Sequence, residues 1–352
     1  MRLALLLGLI AAVGAGSNLS GQAQPAPRAP AVPVDPVTAI VDAFRSHPIV
    51  ALGEGAHGNE QAYAFRVSLL HDRRFTDVVN DIVVESGTAR YQDAMDRYVR
   101  GEDVPDQVMR ELRENTVVAT PVWDRPIYAE FFTEVRNVNR SLPRDRQVRV
   151  LLGDPPIDWT SVTTADEYRA WLSKRDSFPA DLIKREVIAK GRHALVVYGD
   201  GHFQARSERP GKSLAALLEA SGSQLFIIMS AFADLTKFQS DAGSWRAPSL
   251  VIIGGTPIGA APYELFFGPA PPVDFFRANP LIENHYDAML YLGPPSSMTS
   301  SPFSYPRCAE PDYAKMRVAR MVLSGMPANV GDRLTAECAA AASAFGPGRD
   351  RR

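Results

Sequence analysis

Five residues that could transfer a proton or bind a cation follow directly after short apolar runs of this sequence. The first run leads into Glu54 and His57, the second ends in Glu85, the third leads into Asp154, and the fourth leads into His202. A neutral imidazole has a pKa near 6.5 and can accept a proton from water at neutral pH, and a carboxylate can stabilise the charged ring that results. The residue types therefore predict acid–base chemistry on water.

The same side chains also suit a metal ion. Two histidines and two glutamates, His57, His202, Glu54 and Glu85, could bind a divalent metal and leave one coordination position open for water. The residue types alone do not separate these two possibilities. We therefore expect either that no cofactor is required or that the cofactor is a divalent metal.

Each of these residues also has a purely structural interpretation. A single histidine in a turn usually forms a local hydrogen bond, Glu85 could open the next helix, and Asp154 precedes a proline, as is common in turns. The combination favours function, because four strand ends each carry an ionisable group and two of them place His beside Gly. The remaining histidines are assigned to structure or surface: His47, His71, His193 and His285.

The apolar runs are nearly uninterrupted, which is typical of strands covered on both faces. They predict strands at 49–53, 81–85, 148–153, 194–198, 224–229, 250–253 and 288–292. Helical patterns fill the intervals at 60–73, 91–100, 104–114, 125–139, 165–190 and 213–220. The alternation predicts an α/β fold with a mostly parallel central sheet flanked by helices and a helical insertion after the second strand.

Parallel strands end at one edge of a sheet, which is where open α/β folds bind ligands. We therefore expect the five strand-end residues to share one crevice. For a crevice that holds one small ligand, the imidazoles of His57 and His202 should lie within about 15 Å of each other. Replacement of Glu85 by glutamine is expected to lower activity and to leave the fold intact, because the shape of the side chain is kept.

Two other interpretations of these turns are weaker. Residues 53–58 match the dinucleotide pattern G-x-G-x-x-G, but Glu54 and Glu60 would repel a pyrophosphate at the start of the helix. A serine hydrolase would need a G-x-S-x-G nucleophile elbow, and the sequence contains none.

The element Gly53-Glu54-x-x-His57-Gly58, with Arg66 on the next helix and Val83-Val84-Glu85 at the next strand end, resembles the erythromycin esterase-like family. The likeness continues through Trp123, the Gly199-Asp200-Gly201-His202 turn and Tyr286-Asp287-Ala288-Met289-Leu290, and spans roughly residues 45 to 295. The wider superfamily includes haem-binding uptake lipoproteins and Tiki-type metalloproteases. The chain lacks part of the large helical lid of macrolide esterases.

The resemblance implies a hydrolase that cleaves a small-molecule ester or lactone by water activated at His57. Glu54 or Glu85 would orient the imidazole, and His202 would polarise the carbonyl or protonate the leaving group. Arg66 would bind the oxyanion or a substrate carboxylate, and Asp154 is assigned with Arg66 to substrate binding. The alternative is a non-catalytic periplasmic protein of the same superfamily that binds haem, a metal or a small ligand.

Composition restricts the partners. Among 352 residues, 38 Lys plus Arg against 40 Asp plus Glu give a net charge of −2. This excludes the basic excess that a nucleic-acid partner requires. A hydrophobic fraction of 45% with 22% charged residues is typical of globular proteins.

The N-terminus indicates export. Residues 1–23 have the short basic start, apolar stretch and small residues of a signal peptide, and the mature chain has no stretch long enough to span a membrane. We expect a periplasmic or secreted protein with a Pro/Ala-rich tether at 24–36, a domain at 37–325 and a C-terminal tail at 326–352. In an oxidising compartment, Cys308 and Cys338 can form a disulfide.

Overall fold

The computed structural model describes residues 27–204, 213–269, 277–327 and 329–345, and its centre is a seven-stranded sheet. The strands are β1 (Ile49–Gly53), β2 (Asp81–Thr88), β3 (Arg149–Asp154), β4 (Ala194–Tyr198), β5 (Leu225–Phe232), β6 (Ser249–Ile252) and β7 (Ala288–Gly293). Their order is β3-β2-β4-β1-β5-β7-β6, and every neighbouring pair is parallel except β6 with β7. The predicted fold class is therefore confirmed.

Helices cover both faces of this sheet. They are α1 (Pro36–Ala43), α2 (Glu60–His71), α3 (Arg73–Thr76), α4 (Gln92–Val99), α5 (Asp106–Glu114), α6 (Pro126–Asn139), α7 (Ala165–Leu172), α8 (Ser177–Glu186), α9 (Leu214–Glu219), α10 (Glu264–Phe267), α11 (Tyr305–Cys308), α12 (Pro311–Leu323) and α13 (Val330–Phe345). The predicted helical insertion after the second strand consists of α4, α5 and α6. In the part of the chain that the structure describes, no helix is both long and apolar enough to cross a bilayer.

The strand sequences are continuous apolar runs because a separate hydrophobic core packs against each face of the sheet. In β1, Val50 and Leu52 point into one core, while Ile49 and Ala51 point into the other. Side chains alternate between the faces of a strand, so a strand covered on both sides needs apolar residues at every position. The first strand is accordingly buried along its whole length.

The helix predicted at 165–190 is interrupted. Helix α7 ends at Leu172, α8 begins at Ser177, and the four residues between them form a turn. Pro179 explains the break, because a proline inside a continuous helix loses a backbone hydrogen bond and its ring collides with the preceding turn, whereas the first turn of a new helix tolerates it. Two residues of this connection, Arg175 and Asp176, consequently point to the strand ends.

The segment predicted as a tether contacts the domain within its described part. Val34 exchanges two backbone hydrogen bonds with Leu250 of β6, at 2.8 and 3.1 Å. Ala31 is buried, and its backbone bonds to the side-chain amide of Gln239 at 2.7 and 2.8 Å. Neither Ala31 nor Val34 is a proline, so both backbone amides can donate. The segment therefore pairs with the edge strand β6. Residues 1–26, including the predicted signal peptide, lie outside the described residues.

The segment predicted as a C-terminal tail contains α13, which packs on the domain with Leu334 and Ala341 buried. Cys338 of this helix forms a disulfide with Cys308, at a Cα–Cα distance of 5.3 Å. The predicted disulfide is thus present in the structure. Residues 346–352 lie outside the described residues.

Reduction of this disulfide should lower the free energy of unfolding by about 3 to 4 kcal/mol, because the unfolded chain regains the entropy lost on closing the loop. The two cysteines are 30 residues apart. Denaturant unfolding with and without reductant measures the difference. Titration of the unfolded protein should find thiols after reduction only, and two thiols per chain before reduction would contradict the prediction.

Candidate active site

The turn after β1 is shaped by two glycines. Gly55 and Gly58 have φ values of 68° and 81°, in the left-handed region that favours glycine. The amide of Gly58 donates to the hydroxyl of Tyr128 at 2.9 Å. Asn59 then caps α2 by accepting from the amide of Ala62 at 2.6 Å. These constraints place the side chain between the two glycines, His57, at the carboxyl edge of the sheet.

His57 forms a hydrogen-bonded chain with two buried residues. Its Nδ1 lies 2.6 Å from Oε2 of Glu54, and Nη2 of Arg66 donates to the other oxygen of that carboxylate at 3.1 Å. The His57 side chain is 35% exposed, against 4% for Glu54. Burial opposes protonation of His57, but the hydrogen bond and charge of Glu54 outweigh it and raise the pKa of the imidazole above 6.5. The ring also rests edge-on against Trp123, with centroids 4.8 Å apart.

Glu85 contacts every other member of a second cluster, which also contains Gly199, His202 and Arg175. Its Oε2 accepts from the amide of Gly199 at 2.9 Å, and its Oε1 lies 3.3 Å from Nε2 of His202 and in contact with Arg175. Burial would raise the pKa of this carboxyl, but the charges of His202 and Arg175 hold it well below its ordinary value. Glu85 is therefore a buried carboxylate at neutral pH.

His202 lies between two carboxylates. Its Nδ1 is 2.7 Å from Asp176, while its Nε2 faces Glu85. Burial lowers the pKa of the imidazole, but Glu85 and Asp176 together raise it to about 9. His202 is therefore an imidazolium at neutral pH, with both ring nitrogens occupied by carboxylates.

The two histidines share one small site. A Cβ at Gly199 would lie 3.3 Å from Nε2 of His57 and 3.5 Å from Oε2 of Glu85, so both side chains approach the same point of the backbone. Because His202 contacts the same carboxylate, the two imidazoles lie well within the expected span. The residues that follow β1, β2 and β4 thus lie together at one edge of the sheet.

Two other predicted site residues lie beneath this surface. Arg66 is 5% exposed and is bound to Glu54, while Asp154 is 2% exposed and accepts from the amide of Val117 at 2.7 Å. Burial raises the pKa of Asp154 well above its ordinary value. In this structure both residues are buried and hydrogen-bonded to neighbouring groups of the protein, and neither is placed to contact a bound molecule directly.

The side chains proposed as metal ligands do not converge on a common point. Within the described ranges, no group of three or more His, Cys, Asp or Glu is arranged to hold a metal ion. The physical reason is that Arg175 contacts Glu85 beside His202, whose nitrogens already face carboxylates. The donor set thus forms ion pairs instead of an open coordination sphere.

A cavity of about 480 Å³ opens beside His57. Apolar side chains form much of its wall: Met229, Phe232, Phe266, Phe267 and Met298. Among the described residues that line it, the ionisable ones are His57 and Asp200. The volume suits a small organic molecule, and the lining favours an uncharged one.

The comparisons with known proteins bear on the fold. The sequence matches no protein-family model and none of the curated proteins. A solved protein from Bacillus cereus superposes with a TM-score of 0.53 at 13% identity, over 78% of this chain and 96% of its own. A succinoglycan biosynthesis protein superposes with a TM-score of 0.56 at 9% identity, over the same shares. These likenesses establish the fold alone.

A third structure, of cofacial haem binding to ChaN of Campylobacter jejuni, superposes with a TM-score of 0.35 at 12% identity. It covers 56% of this chain and 86% of its own. This similarity is too low to support an argument about the present site.

Three side chains of the site were not singled out from the sequence as functional. Arg175 and Asp176 were hidden inside the predicted long helix, and Pro179 is the signal that could have revealed their turn. Asp200 follows β4, and its Oδ2 accepts from the amide of Gly55 at 2.7 Å, which ties two strand ends together. Burial raises the pKa of the Asp200 carboxyl to about 7.

Proposed function

We propose that the protein is an exported hydrolase of the erythromycin esterase-like type that cleaves an ester or lactone with water activated by His57. The observation that carries this proposal is the pairing of Glu54 with Nδ1 of a partly exposed His57 at the wall of the cavity. Export rests on the signal-like residues 1–23 and agrees with the disulfide.

The hydrogen bond to Glu54 supports separate roles for the two ring nitrogens of His57. Nδ1 of His57 donates to Glu54, so in the neutral ring Nε2 carries the lone pair that accepts the proton of water. The water oxygen attacks the carbonyl carbon, and the carbonyl oxygen becomes an oxyanion. When the carbon–oxygen bond to the leaving group breaks, the alkoxide takes the proton from Nε2. Glu54 stabilises the imidazolium between these steps.

The cavity restricts the substrate. Its aromatic and methionine wall should bind an uncharged, apolar part of an ester or lactone, because no Lys or Arg stands among the described lining residues. The donor geometry does not fit a metal, so the mechanism proposed for these side chains uses none.

The purified protein should therefore hydrolyse short apolar 4-nitrophenyl esters or simple lactones, with no loss of rate on addition of a chelator. The rate should be higher for uncharged acyl groups than for carboxylated ones of similar size. Release of 4-nitrophenolate and pH-stat titration of lactone opening measure the two substrate types.

The same protein titrated with haem tests the alternative of a binding protein. A Soret band that saturates at one haem per chain, together with no turnover of any ester or lactone, would contradict the proposed function. Turnover that disappears with the chelator would contradict the metal-free mechanism.

A further inference from the structure

Arg175 lies at the site without a role in the mechanism above. It belongs to the connection between α7 and α8, and its Nη2 donates to Glu85 and lies 3.3 Å from Nε2 of His202. Its Nε is buried and has no hydrogen-bond partner among the described residues. The side chain is 26% exposed, which leaves part of the guanidinium accessible to a bound molecule.

This guanidinium lies outside the lining of the cavity beside His57 and is connected to the His57 side of the site through Glu85. Glu85, which Arg175 contacts, approaches the same point at Gly199 as Nε2 of His57. A substrate carbonyl attacked by water at His57 can direct its oxygen toward the Arg175 side of the Glu85 carboxylate. Negative charge develops on that oxygen in the transition state, and preorganised donors stabilise it most effectively where water is excluded.

The other cations are less suited to this task. Arg66 is 5% exposed and already donates to Glu54, so its guanidinium is covered. His202 has a 12% exposed side chain, and both of its ring nitrogens face carboxylates. Arg175 is more exposed than either residue and retains donors beyond those its carboxylate uses.

We propose that Arg175 donates hydrogen bonds to the oxyanion formed when water adds to the substrate carbonyl. This rests on the proposed hydrolysis and assigns to Arg175 the role that the family resemblance gave to Arg66. In the step concerned, the water oxygen bonds to the carbonyl carbon, the water proton goes to His57 and the π electrons of the carbonyl move onto its oxygen. Glu85 holds the guanidinium in place, and the charge on Arg175 does not change.

Arg175→Ala should lower kcat by about 10² to 10³ fold and leave KM nearly unchanged, because the interaction forms in the transition state. Guanidinium at millimolar concentration should restore part of the rate, which a merely structural defect would not allow. The matched control is Arg169→Ala, which removes a 64% exposed arginine of α7 and should change neither constant.

Binding of a tetrahedral anion gives a readout independent of turnover. The monoanion of 4-nitrophenyl methylphosphonate should bind the wild-type protein, and Arg175→Ala should weaken that binding in calorimetry far more than Arg169→Ala does. Arg175→Gln replaces the alanine variant if the latter fails to fold, since its amide can still donate to Glu85.

The outcomes separate the two proposals. A folded Arg175 variant with normal kcat, or with unchanged phosphonate affinity, would overturn the role of Arg175 whether or not His57 is needed. If the wild-type protein hydrolyses nothing yet loses phosphonate binding on replacement of Arg175, the proposed hydrolysis fails while the anion contact of Arg175 is supported.

Discussion

Replacement of His57 by alanine should lower ester hydrolysis by about 10² to 10⁴ fold, the usual contribution of a general base. The fold should survive, because the side chain is 35% exposed and Glu54 keeps its ion pair with Arg66. We expect a stability loss of at most about 1 to 2 kcal/mol, within the ordinary range for single substitutions. Initial rates and denaturant unfolding on the same preparation measure both quantities.

The pH dependence provides a further test of His57. The neutral ring is the active form, and its pKa is raised above 6.5 by Glu54 despite burial. The wild-type rate should therefore fall as the pH is lowered through that raised value, and the residual rate of His57→Ala should lack this dependence. His71→Ala, which removes a 50% exposed histidine bound to Glu134, is the control. Normal turnover by His57→Ala would refute the assignment.

Glu85→Gln should reduce hydrolysis strongly and also destabilise the fold, by roughly 3 to 5 kcal/mol, the usual cost of breaking a buried ion pair. The sequence predicted that the fold would be unaffected because glutamine preserves the shape. The structure changes that expectation, since the 4% exposed carboxylate forms ion pairs with both Arg175 and His202. Denaturant unfolding at neutral pH measures the loss, and thermal melting provides a second estimate.

The same substitution should alter acid unfolding. The pKa of Glu85 is held well below the ordinary value of 4.5, so its contribution to stability is present above that value and is lost as the pH falls. Glu85→Gln should therefore lose stability less steeply on acidification. Glu102→Gln, at a 52% exposed surface pair with Arg97, should behave like the wild type. An unchanged unfolding free energy in Glu85→Gln would show that the buried cluster is not stabilising.

The strands could be predicted because burial on both faces imposes a local rule on the sequence. Every predicted strand is present, with ends shifted by up to three residues. A shared edge for Glu54, His57, Glu85 and His202 followed from the prediction of parallel strands, since parallel strands place their carboxyl ends at one edge.

The remainder of the site depends on features that local patterns do not show. Arg175 and Asp176 reach the site because a helix breaks, and the periodic pattern around Pro179 concealed that break. Asp124, which follows Trp123 in the chain, forms a buried ion pair with Arg317, 193 residues further along. Such a pairing is set by tertiary structure, and one sequence does not reveal it.

The ion pair of Asp124 with Arg317 also sets an order of events during synthesis. The ribosome releases Asp124 long before Arg317, so the insertion emerges with a carboxylate that lacks its hydrogen-bonded cation. Because an unpaired charge resists burial, we expect Asp124 to be buried only after α12 has emerged. Ribosome-bound chains that end before Arg317 should therefore leave the Asp124 carboxylate in water.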